Sequence, residues 1–208
     1  MATIKFAITP GFEEGGTLFT PEQLEALGTV VGDNAKFELT TFKQLYVEMQ
    51  DERVEEVTQR LTEVGLQIYP AGFVSKSLIT CYFCRGAEDA GLDIAKKLNE
   101  AIAGIQTPTP LKIGYAGCAL GTSEPLLKDI GIVKMRDVFD IYVGGDPKSI
   151  KPQFAKLLVS GIAADNLSIL VQKLISHYKE HAKGKEKYAK YVNRMTIEVL
   201  RDAIGGAA

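Results

Sequence analysis

Two hydrophobic rhythms alternate along the first third of this chain. Ile4 to Ile8 alternates and is β-favouring, which predicts a strand. Gly11 to Gly16 reads as a glycine- and glutamate-rich loop. Thr20-Pro21-Glu22-Gln23 predicts a helix start: Thr20 caps, Pro21 suits the first helical position and Gln23 completes a capping box. Leu24, Leu27, Val30 and Val31 form its apolar stripe, and Gly32-Asp33-Asn34 ends it. The stretch from Lys36 to Glu48 holds a second strand around Phe37, Leu39, Tyr46 and Val47. Asp51 is expected to cap a second helix whose Val54, Val57, Leu61 and Val64 share one face. Gly65 stops it, and Leu66 to Tyr69 makes a third strand. This strand and helix alternation predicts a ferredoxin-like α/β half-domain over residues 1–70.

Further on, the pattern predicts a helix from Ala87 to Ala103, a stiff Thr107-Pro-Thr-Pro110 connector and a short β run from Leu111 to Tyr115. Gly121 to Lys128 reads as a loop or short helix. Val138 to Val143 reads as a strand, ended by Gly144-Gly145-Asp146-Pro147. The last 60 residues read as helical. Asp165 caps a stripe of Leu167, Leu170, Val171, Leu174 and Tyr178, and Gly184 separates it from one of Tyr188, Tyr191, Val192, Met195, Val199 and Leu200. The fold expected is α/β (α+β), with domains at 1–70 and 71–150 and a C-terminal helical segment at 151–208.

Composition narrows the function classes. The chain has 208 residues and a formal net charge of −2, so bulk electrostatics point to neither nucleic acid nor an anionic membrane. No apolar run reaches the roughly 18–20 residues of a membrane span. Met1-Ala-Thr-Ile-Lys leads straight into a strand-like segment without a signal-peptide pattern, and the expected location is cytoplasmic. The cysteine count of three is odd, which fits a metal site or free thiols better than a disulfide framework.

All three cysteines, Cys81, Cys84 and Cys118, lie within one stretch running from Thr80 to Gly145. Cysteines two apart, joined by a third after a helix, can gather around one metal centre. Packing as small apolar residues is the alternative for each. Zinc is disfavoured, because a closed structural site needs a fourth thiolate or imidazole. His177 and His181 are four apart on a helix; a shared ligand face and ordinary solvated positions are both open to them.

The order of these pieces resembles the nitrite/sulfite reductase family. Ser75-Lys76-Ser77-Leu78-Ile79-Thr80-Cys81 is similar to the family's run into its first cysteine, and Leu111 to Cys118 to the approach to its third. Asp129-Ile130-Gly131-Ile132-Val133 and Tyr142-Val143-Gly144-Gly145 follow in the family's order. The first pair is closer together than the family's usual gap, and Thr122 stands where the fourth cysteine is expected. In the N-terminal half, Leu39-Thr40-Thr41-Phe42-Lys43-Gln44 is similar to a family run that carries an arginine where Phe42 stands. Lys43 is one position along, facing the other way if the run is a strand.

The resemblance implies a [4Fe-4S] cluster held by Cys81, Cys84 and Cys118, with sirohaem as a second cofactor. It places Lys76 and Lys112 against a small oxyanion substrate or sirohaem carboxylates. Lys43, Arg85, Gly117 and Thr122 are expected to contact or shape the cofactors. Because the family's larger members carry two copies of the unit, a single copy is expected to form a homodimer through the strands around Phe37 to Val47 and Ile141-Tyr142-Val143. Three readings follow: a reductase of a small oxyanion, a non-catalytic iron–sulfur or tetrapyrrole-binding protein serving an electron-transfer partner, and an empty scaffold that pairs with another protein.

Overall fold

The computed structural model describes residues 2–12, 18–33 and 35–205. The predicted loop at Gly11 to Gly16 therefore lies largely outside the described residues. The chain divides into two units, Met1–Ala71 and Gly72–Ala208.

The first unit runs β1 (Thr3–Thr9), α1 (Pro21–Val31), β2 (Lys36–Leu39), β3 (Leu45–Gln50), α2 (Val54–Glu63) and β4 (Gln67–Pro70). Its sheet has the order β2-β3-β1-β4, with every pair antiparallel. Such a β-α-β-β-α-β sequence is the ferredoxin-like arrangement, with one more strand than the hydrophobic pattern separates. The Thr20 capping box forms: Thr20 Oγ1 accepts from the Gln23 backbone N–H at 3.2 Å, and Gln23 Oε1 accepts from the Thr20 N–H at 3.1 Å. The core joins Phe6, Ile8 and Val47 of the sheet to Leu27, Val30, Val57 and Leu61 of the helices. Asp51 opens a 3-10 turn, Asp51–Arg53, and makes no side-chain cap.

Residues 36–48 form two strands rather than one, and 40–44 make the turn between them. Thr40 drives that turn, its hydroxyl accepting from the Phe42 and Gln44 N–H groups. Lys43 sits in it with a left-handed backbone, φ 59°, so strand alternation does not decide where it points.

The second unit contains β5 (Ile79–Thr80), α3 (Leu92–Ile102), β6 (Ile113–Ala116), β7 (Ile130–Met135), β8 (Val138–Val143), β9 (Lys156–Ile162), α4 (Ala164–His181), α5 (Tyr188–Met195) and α6 (Ile197–Ala203). Its sheet has the order β5-β6-β7-β8-β9: the first three strands are parallel, the last two antiparallel. Three expectations change here. Residues 156–162, read as helical, are β9, an edge strand against β8. The helix expected from Ala87 starts only at Leu92, because Gly91 adopts φ 71° and ends a series of turns before it. Ala163, not Asp165, is the N-cap of α4.

β8 lies between β7 and β9, with Ile141 and Val143 fully buried. β8 therefore offers no free edge, and of Ile141-Tyr142-Val143 only Tyr142 is partly exposed. β2, by contrast, is an edge strand, with Phe37 46% and Leu39 80% exposed.

Candidate metal centre

Parallel strands collect their following loops at one edge of the sheet, where ligand sites of α/β folds lie. β5 and β6 pair with Thr80 opposite Tyr115, so Cys81 leaves β5 beside the point where Gly117 and Cys118 leave β6. The Cys81 backbone N–H donates to the Tyr115 carbonyl at 3.2 Å, and the Gly117 N–H donates to Cys81 Sγ at 3.3 Å. Cys81, Phe83, Cys84, Gly117, Cys118 and Thr122 line one cavity here. Cys81 is buried, Cys118 half-buried and Cys84 exposed.

The loops around this cavity are tightly fixed and locally strained. A Cβ on Gly117 would lie 2.5 Å from Ala90 Cβ and 2.8 Å from the Ala90 carbonyl oxygen, so only glycine lets the two cysteine loops approach. The fully buried Tyr115 donates its hydroxyl to the Ala90 carbonyl at 2.8 Å, and burial pushes its pKa up. Ser123 is buried and donates to the Tyr115 carbonyl at 2.7 Å, tying down the loop that carries Thr122. Five non-glycine residues among those described have positive φ, and three of them, Phe83, Glu124 and Arg136, belong to the loops around the cysteines. Such conformations cost about 1 kcal/mol or more each and concentrate at functional sites.

The three thiols suit a cube-like cluster in kind and in support, since cluster sulfurs commonly receive backbone hydrogen bonds such as that from Gly117. The free volume of the cavity is about 10 Å³, room for one water, so the fit rests on the donor set. Among the described residues no three His, Cys, Asp or Glu side chains are grouped to hold a single ion. Zinc thiolates would stand about 3.8 Å apart, whereas cluster thiolates stand about 6–7 Å apart. Thr122 is exposed on the cavity's rim. It caps no helix, because the 3-10 turn beginning at Pro125 has Glu124 in the capping position.

The expected lysines are elsewhere. Lys76 and Lys112 precede β5 and β6, at the opposite end of the sheet, and neither lines the cavity. Lys76 is 1% exposed; its ammonium donates to the Gly72 carbonyl at 2.7 Å, and burial lowers its pKa to about 8. Lys112 is 3.8 Å from the Asp129 carboxylate, which also accepts the Lys112 backbone N–H at 2.7 Å. Both have partners within the protein, at the end of the sheet away from the cysteines. Lys43 belongs to the first unit. His177 and His181 stack with ring centroids 4.1 Å apart on α4, His177 engaging the Tyr191 hydroxyl, and neither lines the cysteine cavity.

Sequence reasoning missed a second feature. A cleft of about 620 Å³ opens beside the cysteine cavity, lined by Arg85, Asp89, Cys118, Lys134, Arg136 and Asp137. Arg85 is the one expected cation found there. Lys134 and Arg136 carry no local motif, and only the pairing of β7 with β8 brings them to this edge.

Comparison with known proteins agrees with this picture. A family model described as "Nitrite and sulphite reductase 4Fe-4S domain" matches residues 81–207. An assimilatory-type sulfite reductase of Nitratidesulfovibrio vulgaris is 25% identical, across 98% of this chain and 94% of its own length. A cobalt-factor III methyltransferase of Priestia megaterium is 26% identical over 91% of this chain, which spans only 34% of that protein. Among solved structures, Mycobacterium tuberculosis NirA aligns with a TM-score of 0.70 at 13% identity, over 97% of this chain and 40% of its own. Dissimilatory sulfite reductase I aligns with a TM-score of 0.74 at 13% identity, over 98% and 70%. At that identity the structural matches speak for the fold alone.

Proposed function

The chain belongs to the nitrite and sulphite reductase 4Fe-4S domain family, and from that premise we propose that it is a redox protein whose Cys81, Cys84 and Cys118 hold a [4Fe-4S] cluster. The observation that carries this reading is the meeting of all three cysteines on one cavity at the carboxyl ends of β5 and β6. The cluster would supply one-electron transfer. The chain's own part is to fix Cys81 through the Gly117 N–H and to hold the two loops together through Tyr115 and Ser123. We further propose that the electrons reduce a small oxyanion, with sirohaem as the second cofactor. The Nitratidesulfovibrio relative supports this, because it carries the sulfite reductase name at nearly the same length. In this reading residues 1–70 are the ferredoxin-like half-domain, 71–150 the cluster domain and 151–208 its C-terminal extension. Copies pair through the exposed β2 edge, in the cytoplasm.

Thr122 favours a second reading. A threonine hydroxyl is a poor replacement for a thiolate, and the Priestia relative shows the same piece inside a protein named for a different activity. In that reading the chain transfers electrons or handles a cofactor without reducing an oxyanion. Anaerobic purification separates the two. Iron and sulfide with strong tetrapyrrole bands, together with viologen-driven consumption of sulfite or nitrite, support the reductase. A broad brown shoulder alone supports the second reading. A colourless protein with three freely titratable thiols overturns both.

A further inference from the structure

We propose that His177 and His181 form a binding site for one divalent ion that prefers imidazole, Zn²⁺, Ni²⁺ or Cu²⁺, on the last turn of α4. Neither residue lines the cysteine cavity, and the site does not rest on the proposed function.

These are the only two histidines of the chain, and they stand four apart in His177-Tyr178-Lys179-Glu180-His181 at the end of α4. Residues four apart on a helix share a face. Here the two rings stack with their centroids 4.1 Å apart. Two protonated imidazoles so close repel each other, so the pair favours neutral rings, the form that ligates a metal. Burial first, and His181 second, hold the His177 pKa below its ordinary value, with Glu180 opposing. The hydrogen bonds then decide which nitrogens are free. His181 Nδ1 lies 2.9 Å from the His177 carbonyl oxygen. A carbonyl only accepts, so Nδ1 carries the proton and Nε2 of the neutral ring keeps its lone pair. His177 Nδ1 engages the Tyr191 hydroxyl. Neither Nε2 has a hydrogen-bond partner among the described residues. One ring nitrogen held by an oxygen and the other left open is the arrangement of metal-ligating histidines.

The surroundings accept a cation. α4 is 18 residues long and His181 is its last, so the ion lies at the negative end of the helix. Arg194 donates to the His181 carbonyl at 2.8 Å, but its charge is matched by Glu186 at 2.7 Å, and Glu180 adds a carboxylate. His177 is half-buried and fixed by Tyr191, whereas His181 is exposed and its ring can turn toward the ion. No third His, Cys, Asp or Glu is grouped with the two rings among the described residues, so water completes the coordination shell. Such a site holds an exchangeable ion rather than a closed structural one. Imidazole nitrogens select zinc, nickel and copper over magnesium and calcium, which take oxygen ligands.

The test titrates the purified, anaerobically handled protein with zinc chloride in one arm and magnesium chloride in the other. Binding is followed by the ring-nitrogen resonances of the histidines, of which there are only two to assign, and by calorimetry. Zinc should shift both Nε2 signals together, saturating at one ion per histidine pair, and magnesium should shift neither. His181→Gln should weaken the effect of zinc on the His177 ring at least tenfold. Because His181 is exposed, that variant should melt as the wild type does, so its loss of binding is not a loss of folding. Zinc taken up by the thiols would leave both imidazoles unmoved, so the same spectrum tells the two sites apart. Zinc that moves neither ring, or only one, overturns the site. So does a His181→Gln protein whose His177 ring responds to zinc as the wild type does. Iron content tests the separation from the cysteines: it should be unchanged in His181→Gln, and a fall would overturn the claim of an independent site.

Discussion

The two ends of the β5-β6-β7 sheet are built on opposite plans. At the amino end, charged groups have partners. Lys76 rests on the Gly72 carbonyl, Asp129 accepts from Lys112, and Lys187 lies 3.5 Å from Asp146. At the carboxyl end, three thiols share a cavity, the loops hold strained residues, and two arginines face a cleft without partners. A sheet end that only stabilises satisfies its polar groups. One that binds keeps groups unsatisfied and holds them with backbone whose cost the rest of the fold offsets. Ionisable residues near a sequence motif are therefore not equivalent: Lys76 and Lys112 lie close to the cysteines in sequence, yet sit at the opposite end of the sheet.

The sharpest break of this comparison is Cys81→Ser. It should abolish nearly all bound iron, measured per chain after anaerobic purification, while shifting the melting temperature little. Retained iron would show that the carboxyl end does not bind through these thiols.

The next largest effect lies at the amino end. Burial raises the Asp129 pKa from 3.8 to about 6, with Lys112 opposing the shift. An acid whose folded pKa is raised binds its proton more tightly in the folded chain. Its stabilising contribution is full below about pH 4 and is lost as pH rises through about 6. The shift corresponds to about 3 kcal/mol. Denaturant titrations of wild type and Asp129→Asn should diverge by roughly that amount between pH 4 and 7, the variant having the flatter profile. Parallel profiles would mean that Asp129 does not carry the buried charge.

A smaller loss is expected from Gly117→Ala. Its methyl would drive the cysteine loops apart, costing about 2 kcal/mol, and iron should fall with it. Unchanged iron would separate the close approach of the loops from the centre.

The smallest effect concerns Tyr188, whose hydroxyl is buried without a hydrogen-bond partner. Among the described residues it is the one such side-chain atom of the second unit. Tyr188→Phe removes a desolvated polar group and should be neutral or stabilising by about 1 kcal/mol. A clear loss in a thermal melt would reveal a partner for that oxygen.

Sequence by itself determined what depends on neighbours along the chain. The Thr20 capping box, the Leu27, Val30 and Val31 part of the α1 stripe (Leu24 is exposed), the Val57 and Leu61 face of α2, the β8 run and the clustering of the cysteines are each fixed within a few residues, where spacing and side-chain chemistry suffice. The family was legible for the same reason, since its motifs are local. Tertiary structure decided everything that needs pairing across distance. Whether 36–48 was one strand or two depended on β3 finding β1. Residues 156–162 became a strand only against β8. Cys81 meets Cys118 because β5 and β6 pair in parallel, and the same register carries Lys76 and Lys112 away to the other end. Arg136 reaches the cleft through a turn that its own sequence disfavours. A charge or thiol has the same local signature whether it is matched or left open, and only the residues that fold against it make the difference.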